Sequence, residues 1–191
     1  MIKKSEESFC FNFISNYEIK NIREHINKFD SEWSIDTFRQ DQLDPVHRNT
    51  KSYFIIQSVG GWSSGKKILP VKVCRDQKLW DMLDPIIKDL EVFHDGIATS
   101  ALIVKLLSEN DVLPHIDSSD YLQNIRRNHL AIKTNNSVLF FVENEEKNIK
   151  EGECWEINNA KTHYVKNVSK EERIHLIIDI MPNKLIGDKN V

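Results

Sequence analysis

Two hydrophobic periods run along this chain, a helical one in its first half and an alternating one from Ile97 onward. Between Gln77 and Phe93, Leu79, Trp80, Leu83, Ile86, Ile87 and Leu90 recur at three- and four-residue spacing, which predicts an amphipathic helix. Pro85 lies inside that stretch and removes one backbone donor, so a new helix is expected to begin there after a kink. A shorter helix is predicted over Tyr17 to Phe29 with Asn16 as its N-cap. Phe9 to Ile14 alternates aromatic with small or polar residues over the length of a strand, and Thr50 to Ser58 holds the strand-forming run Tyr53-Phe54-Ile55-Ile56. Trp33 to Val46 follows neither period, and Val59 to Gly65 reads as a loop by its glycines and serines.

The second half predicts strands at Thr99 to Leu107, Val112 to Asp117, Ile125 to Lys133, Val138 to Val142, Cys154 to Ile157, Thr162 to Lys166 and Arg173 to Met181. Asn135-Asn136 is expected to turn a hairpin, and Asn144 to Asn148 to form a solvated loop. Short strands in this number after two helices predict a mainly β fold with helices (α+β). The core would be a double-stranded β-helix (jelly-roll, cupin-like) with the helices packed outside one sheet. No boundary divides the chain. One domain is expected over residues 1–191, with a strand and helical region at about 1–95 and the jelly-roll core at about 97–182.

The chemistry concentrates in that core. His115 and Asp117 are two apart on an extended segment, so their side chains point the same way. Together with the distant His163 they make two imidazoles and one carboxylate, a set that can hold one face of an octahedral ion and leave the other open, as in non-haem Fe(II) oxygenases. The tripeptide alone is a weak signal, and the rest of the constellation carries the reading. Arg127, His129 and Ala131 share one strand face, and Arg173, His175 and Ile177 share another. The alternate positions of the last strand are apolar, so both its faces read as buried. A buried guanidinium needs an anionic partner, and an anionic co-substrate is the obvious one. His175 is the rival third ligand, but the cation at Arg173 beside it disfavours a metal there.

These residues resemble the aspartyl/asparaginyl β-hydroxylase family of Fe(II)/2-oxoglutarate-dependent dioxygenases. The likeness rests on His115-x-Asp117, Arg127-x-His129-Leu130, Asn158-Asn159 leading to His163-x-x-x-Asn167, and Arg173-Ile174-His175-Leu176-Ile177-Ile178-Asp179. It covers roughly residues 97 to 182, and more loosely Asp44 to Gln57. The resemblance implies iron held by His115, Asp117 and His163, with O2 as second co-substrate. It also implies that Arg173 clasps the distal carboxylate of 2-oxoglutarate and that Arg127 and His129 lie at its other end; His175 then reads as an outer partner behind the site, or as a ring stacked near the co-substrate. Some members lack the carboxylate ligand; this chain keeps Asp117. The family often adds a hydroxyl or second cation before the H-x-D motif to assist Arg173, and neither Ser100 nor Ser108 aligns with it, while Lys105 reads equally as a wall residue or a surface charge. His47 and Arg48 fall in a stretch that the resemblance puts near substrate, and Trp62 in the Gly60 to Lys66 loop is expected to shape the cleft. His25 and His94 read as surface or cap residues.

Composition narrows the setting. A formal net charge of -3 without a basic cluster argues against nucleic acid as a partner. Cys10, Cys74 and Cys154 are odd in number and far apart, so buried thiols in a reducing compartment are expected, and no apolar run reaches membrane-spanning length. A cytoplasmic enzyme acting on a small molecule or peptide is the expectation. Its activity would be hydroxylation of an unactivated C–H of an amino acid, or of an amino-acid side chain in a peptide or protein, with succinate and CO2 as co-products. Two other readings stay open: a non-catalytic metal-binding jelly-roll module, and a zinc hydrolase, since His and Asp also bind Zn2+. Neither requires the carboxylate clamps at Arg127 and Arg173.

Overall fold

The computed structural model describes residues 4–29, 31–34, 37, 41, 45–59 and 69–186. The strands are β1 (Phe11–Asn16), β2 (Thr50–Val59), β3 (Leu69–Lys72), β4 (Gly96–Leu106), β5 (Asn110–His115), β6 (Arg126–Lys133), β7 (Val138–Val142), β8 (Glu145–Lys147), β9 (Glu153–Ile157), β10 (His163–Asn167) and β11 (Arg173–Pro182). The helices are α1 (Lys20–Ile26), α2 (Gln77–Phe93) and α3 (Asp120–Asn124). A seven-stranded sheet has the order β1-β9-β6-β11-β4-β2-β3, and a four-stranded sheet the order β5-β10-β7-β8. The chain passes from one sheet to the other at almost every step from β4 to β11, which is the winding of a jelly roll.

Strand β11 sits in the middle of the large sheet with every residue buried. Its Ile174, Leu176, Ile178 and Ile180 point outward into a core shared with Leu79, Leu83 and Leu90 of α2 and Ile22 and Ile26 of α1. Each such side chain contributes roughly 1.5–3 kcal/mol by leaving water, so the helices clamp the sheet from outside. The inward positions Arg173, His175, Ile177 and Asp179 are thereby presented to the space between the sheets. The small sheet closes that space with Val112, Phe140, Val142 and Val165.

Helix α2 has the predicted bounds. Asp76 caps it, Oδ1 accepting from Leu79 N at 2.9 Å. The expected interruption at Pro85 is absent: the helix is continuous, and Pro85 lies on its exposed side, where water can satisfy the orphaned carbonyl. His25 is no plain surface residue, because its Nε2 lies 2.6 Å from Asp76 Oδ2 and so joins α1 to the cap of α2. His94 is the C-cap residue, with Nε2 2.8 Å from Asn128 Oδ1. The three cysteines are buried and unbridged.

Several boundaries depart from expectation. Asn16 ends β1 instead of capping α1, and Glu18 Oε1 accepts from Lys20 N in its place. Asn135-Asn136 does not turn a hairpin; it carries the chain from β6 in one sheet to β7 in the other. Glu145–Lys147 forms a short edge strand, its charges suited to an edge and invisible to a search for apolar alternation. Strand β3 was not anticipated. The glycine-serine loop expected after Val59, with Trp62, lies outside the described residues.

Candidate metal and co-substrate site

Antiparallel pairing of β5 with β10 sets His115 directly opposite His163, their ring centroids 4.2 Å apart. Asp117 does not share the strand, as the sequence suggested: β5 stops at His115, and Asp117 stands in the following loop. It reaches the same point because its backbone N–H donates to Asn159 O at 3.1 Å and its carbonyl accepts from Gln123 Nε2. Ligand atoms of the three residues lie within 4.8 Å of one another. His115 Nε2 is 3.8 Å from Asp117 Oδ1 and His163 Nε2 is 3.9 Å from Asp117 Oδ2, too far for hydrogen bonds and close enough to converge on one ion.

The donor set fits a divalent cation. Each imidazole turns Nδ1 to a backbone carbonyl, His115 to Leu113 O at 2.8 Å and His163 to Lys161 O at 3.0 Å. A carbonyl only accepts, so Nδ1 carries the proton and Nε2 keeps its lone pair for a metal. Burial lowers the His163 pKa to about 4, with Arg127 and His115 adding to the shift, so this imidazole is neutral near pH 7. Burial alone would raise the Asp117 carboxyl; Arg127, the two imidazoles and the Asn159 amide outweigh it and hold its pKa at about 2. Its Oδ2 accepts from Arg127 Nη1 at 2.5 Å and from Asn159 Nδ2 at 3.0 Å, which leaves Oδ1 to an ion.

Arg127 stands beside the metal triad. Its Nε and Nη2 grip Asp179 Oδ1 and Oδ2, both at 2.8 Å, while Nη1 holds Asp117. The guanidinium lines the cavity, and its ion pairs are with two carboxylates of this chain. Asp179 was within reach of the sequence, since the parity that groups Arg173, His175 and Ile177 continues to it.

The cavity beside the triad lies between the sheets. Beyond the triad imidazoles and Arg127, its polar wall includes His47, Thr50, His129 and Arg173, and its apolar wall includes Val104, Phe140 and Ile177. Arg173 is buried, its guanidinium 5.8 Å from the Phe140 ring centroid and its Nη2 2.6 Å from His175 Nδ1. Burial lowers the His175 pKa well below its ordinary value, and Arg173 and His129 act in the same direction, so the ring is neutral and Nδ1 accepts from Arg173. His175 is not on the cavity wall. It stands behind Arg173 and supports the guanidinium from the side away from the cavity.

Among the residues expected near substrate, His47 stacks edge-on to His115 at 5.2 Å and lines the cavity, whereas Arg48 is exposed and does not. Lys105 pairs with Glu172 at 3.0 Å and lies over the Trp33 ring, away from this wall. Thr50 and Phe140 were not singled out from the sequence, and Asn159 and Asp179 figured there only as residues of the motifs, without a role. Thr50 offers a hydroxyl two strands from Arg173, both registering with Leu106 of β4.

The aspartyl/asparaginyl beta-hydroxylase family model matches residues 75–182. No curated protein matches in sequence. Among solved structures, a prolyl hydroxylase from Trichoplax adhaerens, in complex with a hypoxia inducible factor oxygen degradation domain peptide, is similar with a TM-score of 0.55 at 12% identity, over 96% of this chain and 89% of that one. The viral collagen prolyl hydroxylase of Paramecium Bursaria Chlorella virus-1, as a 2OG complex, is similar with a TM-score of 0.53 at 11% identity, over 91% of this chain and 96% of that one. A Pseudomonas putida prolyl-4-hydroxylase follows at 0.51 and 11%, over 92% and 94%. At such identities the likeness shows a shared fold, while the family match spans more than half of the chain and takes in His115, Asp117, His163 and Arg173. The chain therefore belongs to the aspartyl/asparaginyl beta-hydroxylase family.

Proposed function

We propose that this protein hydroxylates an unactivated C–H of an amino acid, free or within a peptide or protein, using Fe(II), 2-oxoglutarate and O2. The observation that carries the reading is one cavity that joins a two-imidazole, one-carboxylate donor set to a buried arginine on the facing sheet. Fe(II) with 2-oxoglutarate and O2 supplies the oxidising power, one oxygen atom entering the C–H bond and the other leaving in succinate, with CO2 released. His115, Asp117 and His163 hold the ion through Nε2, a carboxylate oxygen and Nε2. Arg173 binds the distal carboxylate of the co-substrate by a charge-assisted fork, steadied by His175. The walls at Val104, Phe140 and Ile177 keep water from the bound pair, which strengthens that electrostatic contact. His47, at the edge of the cavity near His115, faces the incoming substrate.

The test is an anaerobic titration of 2-oxoglutarate into Fe(II)-loaded protein, followed by admission of O2 with a panel of free amino acids and short peptides carrying aspartyl, asparaginyl and prolyl residues. Succinate formed in step with a product heavier by one oxygen atom supports the reading. Metal binding without 2-oxoglutarate binding returns the protein to a binding module, and hydrolysis with Zn2+ in place of oxidation selects the zinc alternative.

A further inference from the structure

Lys4 is a buried ammonium, 6% exposed, and among the described residues no carboxylate stands within ion-pair distance of it. Its Nζ donates instead to Ile125 O at 2.7 Å and to Asn159 Oδ1. An ammonium taken out of water is costly unless its donors are used, so its position calls for a reason. The segment that carries it is fastened at three further points. Asn158 Nδ2 donates to Lys4 O at 2.9 Å, Asn158 N to Cys10 O at 3.0 Å, and Glu7 receives Arg126 through both carboxylate oxygens at 2.7 and 2.9 Å.

Asn159 is where this segment meets the metal loop. A side-chain amide has one accepting and one donating end, and here every partner demands the same orientation. Lys4 can only donate, so it faces Oδ1. Leu122 O, at 2.9 Å, and Asp117 Oδ2, at 3.0 Å, can only accept, so both face Nδ2. Turning the amide over would set its NH2 against the ammonium and its oxygen against the Asp117 carboxylate. The positive charge on Oδ1 also polarises the amide and makes Nδ2–H a stronger donor to Asp117.

We propose that Lys4 is a positioning residue of the metal site, acting through Asn159 to hold Asp117 Oδ2 in place and leave Oδ1 to the ion. It lies far outside the residues that the family match covers. The inference rests on the reading of His115, Asp117 and His163 as ligands.

The probe is Co(II) alone, titrated into the full-length protein and followed by its visible absorption. Lys4→Met, which keeps the length of the side chain, weakens Co(II) binding by about 3- to 10-fold, at or below the lower end of what loss of an outer-shell partner usually costs because Lys4 is one bond further out. Lys4→Arg recovers part of the loss. In an Asn159→Ala background the Lys4→Met change has no further effect. A folded Lys4→Met protein with wild-type Co(II) affinity makes Lys4 merely structural and overturns the proposal, as does an effect that persists undiminished in Asn159→Ala. Should Lys4→Met not fold, Lys4→Gln, uncharged and one bond short of Asn159 Oδ1, takes its place, and affinity equal to wild type in that variant overturns the proposal equally. A wild-type protein that binds no Co(II), or binds it equally well after His115→Ala, removes the metal site itself and the proposal with it.

Discussion

Arg127 bridges Asp117 and Asp179, giving Nη1 to the first and a two-point fork to the second. A carboxylate on the metal loop is thus tied through one guanidinium to a carboxylate on the central strand of the large sheet. Burial opposes the Arg127 charge, but the two carboxylates outweigh it and raise its pKa. Removing either arm strands a buried charge. Asp179→Ala is expected to cost about 3–5 kcal/mol of stability, the usual penalty for half of a buried pair. Arg127→Lys keeps the charge without the fork, so it loses less stability but should weaken metal binding by about 10- to 100-fold through Asp117. Urea unfolding and a metal titration on the same samples separate the two effects. Wild-type metal affinity in Arg127→Lys would show that Asp117 needs no such anchor.

Histidine substitutions divide by what each ring holds. His115→Ala and His163→Ala should abolish Fe(II)-dependent turnover in folded protein, since two donors seldom replace three. His25→Ala should leave turnover of the folded protein near wild type and lower stability by about 1 kcal/mol, because its ring supports Asp76, the cap of α2. His94→Ala, at the other end of that helix, should likewise spare turnover. Asp117→Ala is the intermediate case; retained activity there would make the carboxylate a helper and not a required ligand.

Stability should respond to alkaline pH through Lys4. Burial lowers its pKa from 10.5 to about 8, with Arg127 and Arg126 adding to the shift and Glu156 and Asp179 opposing it. The native state therefore binds this proton less tightly than the unfolded chain does. Between about pH 8 and 10.5 the unfolded chain holds more protons, so this residue's contribution to stability rises with pH. The penalty is full below that window and gone above it, and at 1.36 kcal/mol per pKa unit it amounts to about 3 kcal/mol. Cys154, whose thiol burial pushes up to about 12, acts in the opposite sense over an overlapping range. The measurement is thus the difference between wild type and Lys4→Met at each pH. A difference that stays flat from pH 7 to 10.5 would place the Lys4 pKa at its ordinary value.

The parts of the site that share a strand were legible in the sequence. Alternation along β11 separates Arg173, His175 and Ile177 from Ile174, Leu176 and Ile178, and the structure keeps that division. What joins the parts was not legible. The opposition of His115 and His163 depends on β5 and β10 being neighbours, and a chain that changes sheet at nearly every strand leaves no local mark of that order. The same holds for Asn135-Asn136, whose residues suit a hairpin and a crossover equally. At Arg127 the sequence reveals a cation on an inward face but not the two carboxylates, Asp117 and Asp179, that meet it. Lys4 lies more than a hundred residues from Asp117, and no period or motif connects them.

The last prediction concerns the pair Arg173 and His175. If the guanidinium binds the distal carboxylate of 2-oxoglutarate, Arg173→Ala should raise the 2-oxoglutarate requirement steeply while leaving metal affinity nearly intact, because a charged hydrogen bond of about 1.5–3 kcal/mol is lost without touching a ligand. Lysine at this position should restore only part, since an ammonium cannot reproduce the fork. His175→Phe fills much the same space but removes the Nδ1 acceptor 2.6 Å from Arg173 Nη2, so it should weaken 2-oxoglutarate binding less than Arg173→Ala does. Ile174, on the other face of the same strand and 1% exposed, belongs to the outer core. Ile174→Ala should lower stability by about 2–5 kcal/mol and leave the 2-oxoglutarate affinity of the folded protein unchanged. Titrating 2-oxoglutarate into the anaerobic metal-loaded variants reads all four. Undiminished binding in Arg173→Ala would take away the main ground for an oxygenase, because the metal triad alone also suits a hydrolase or a binding protein.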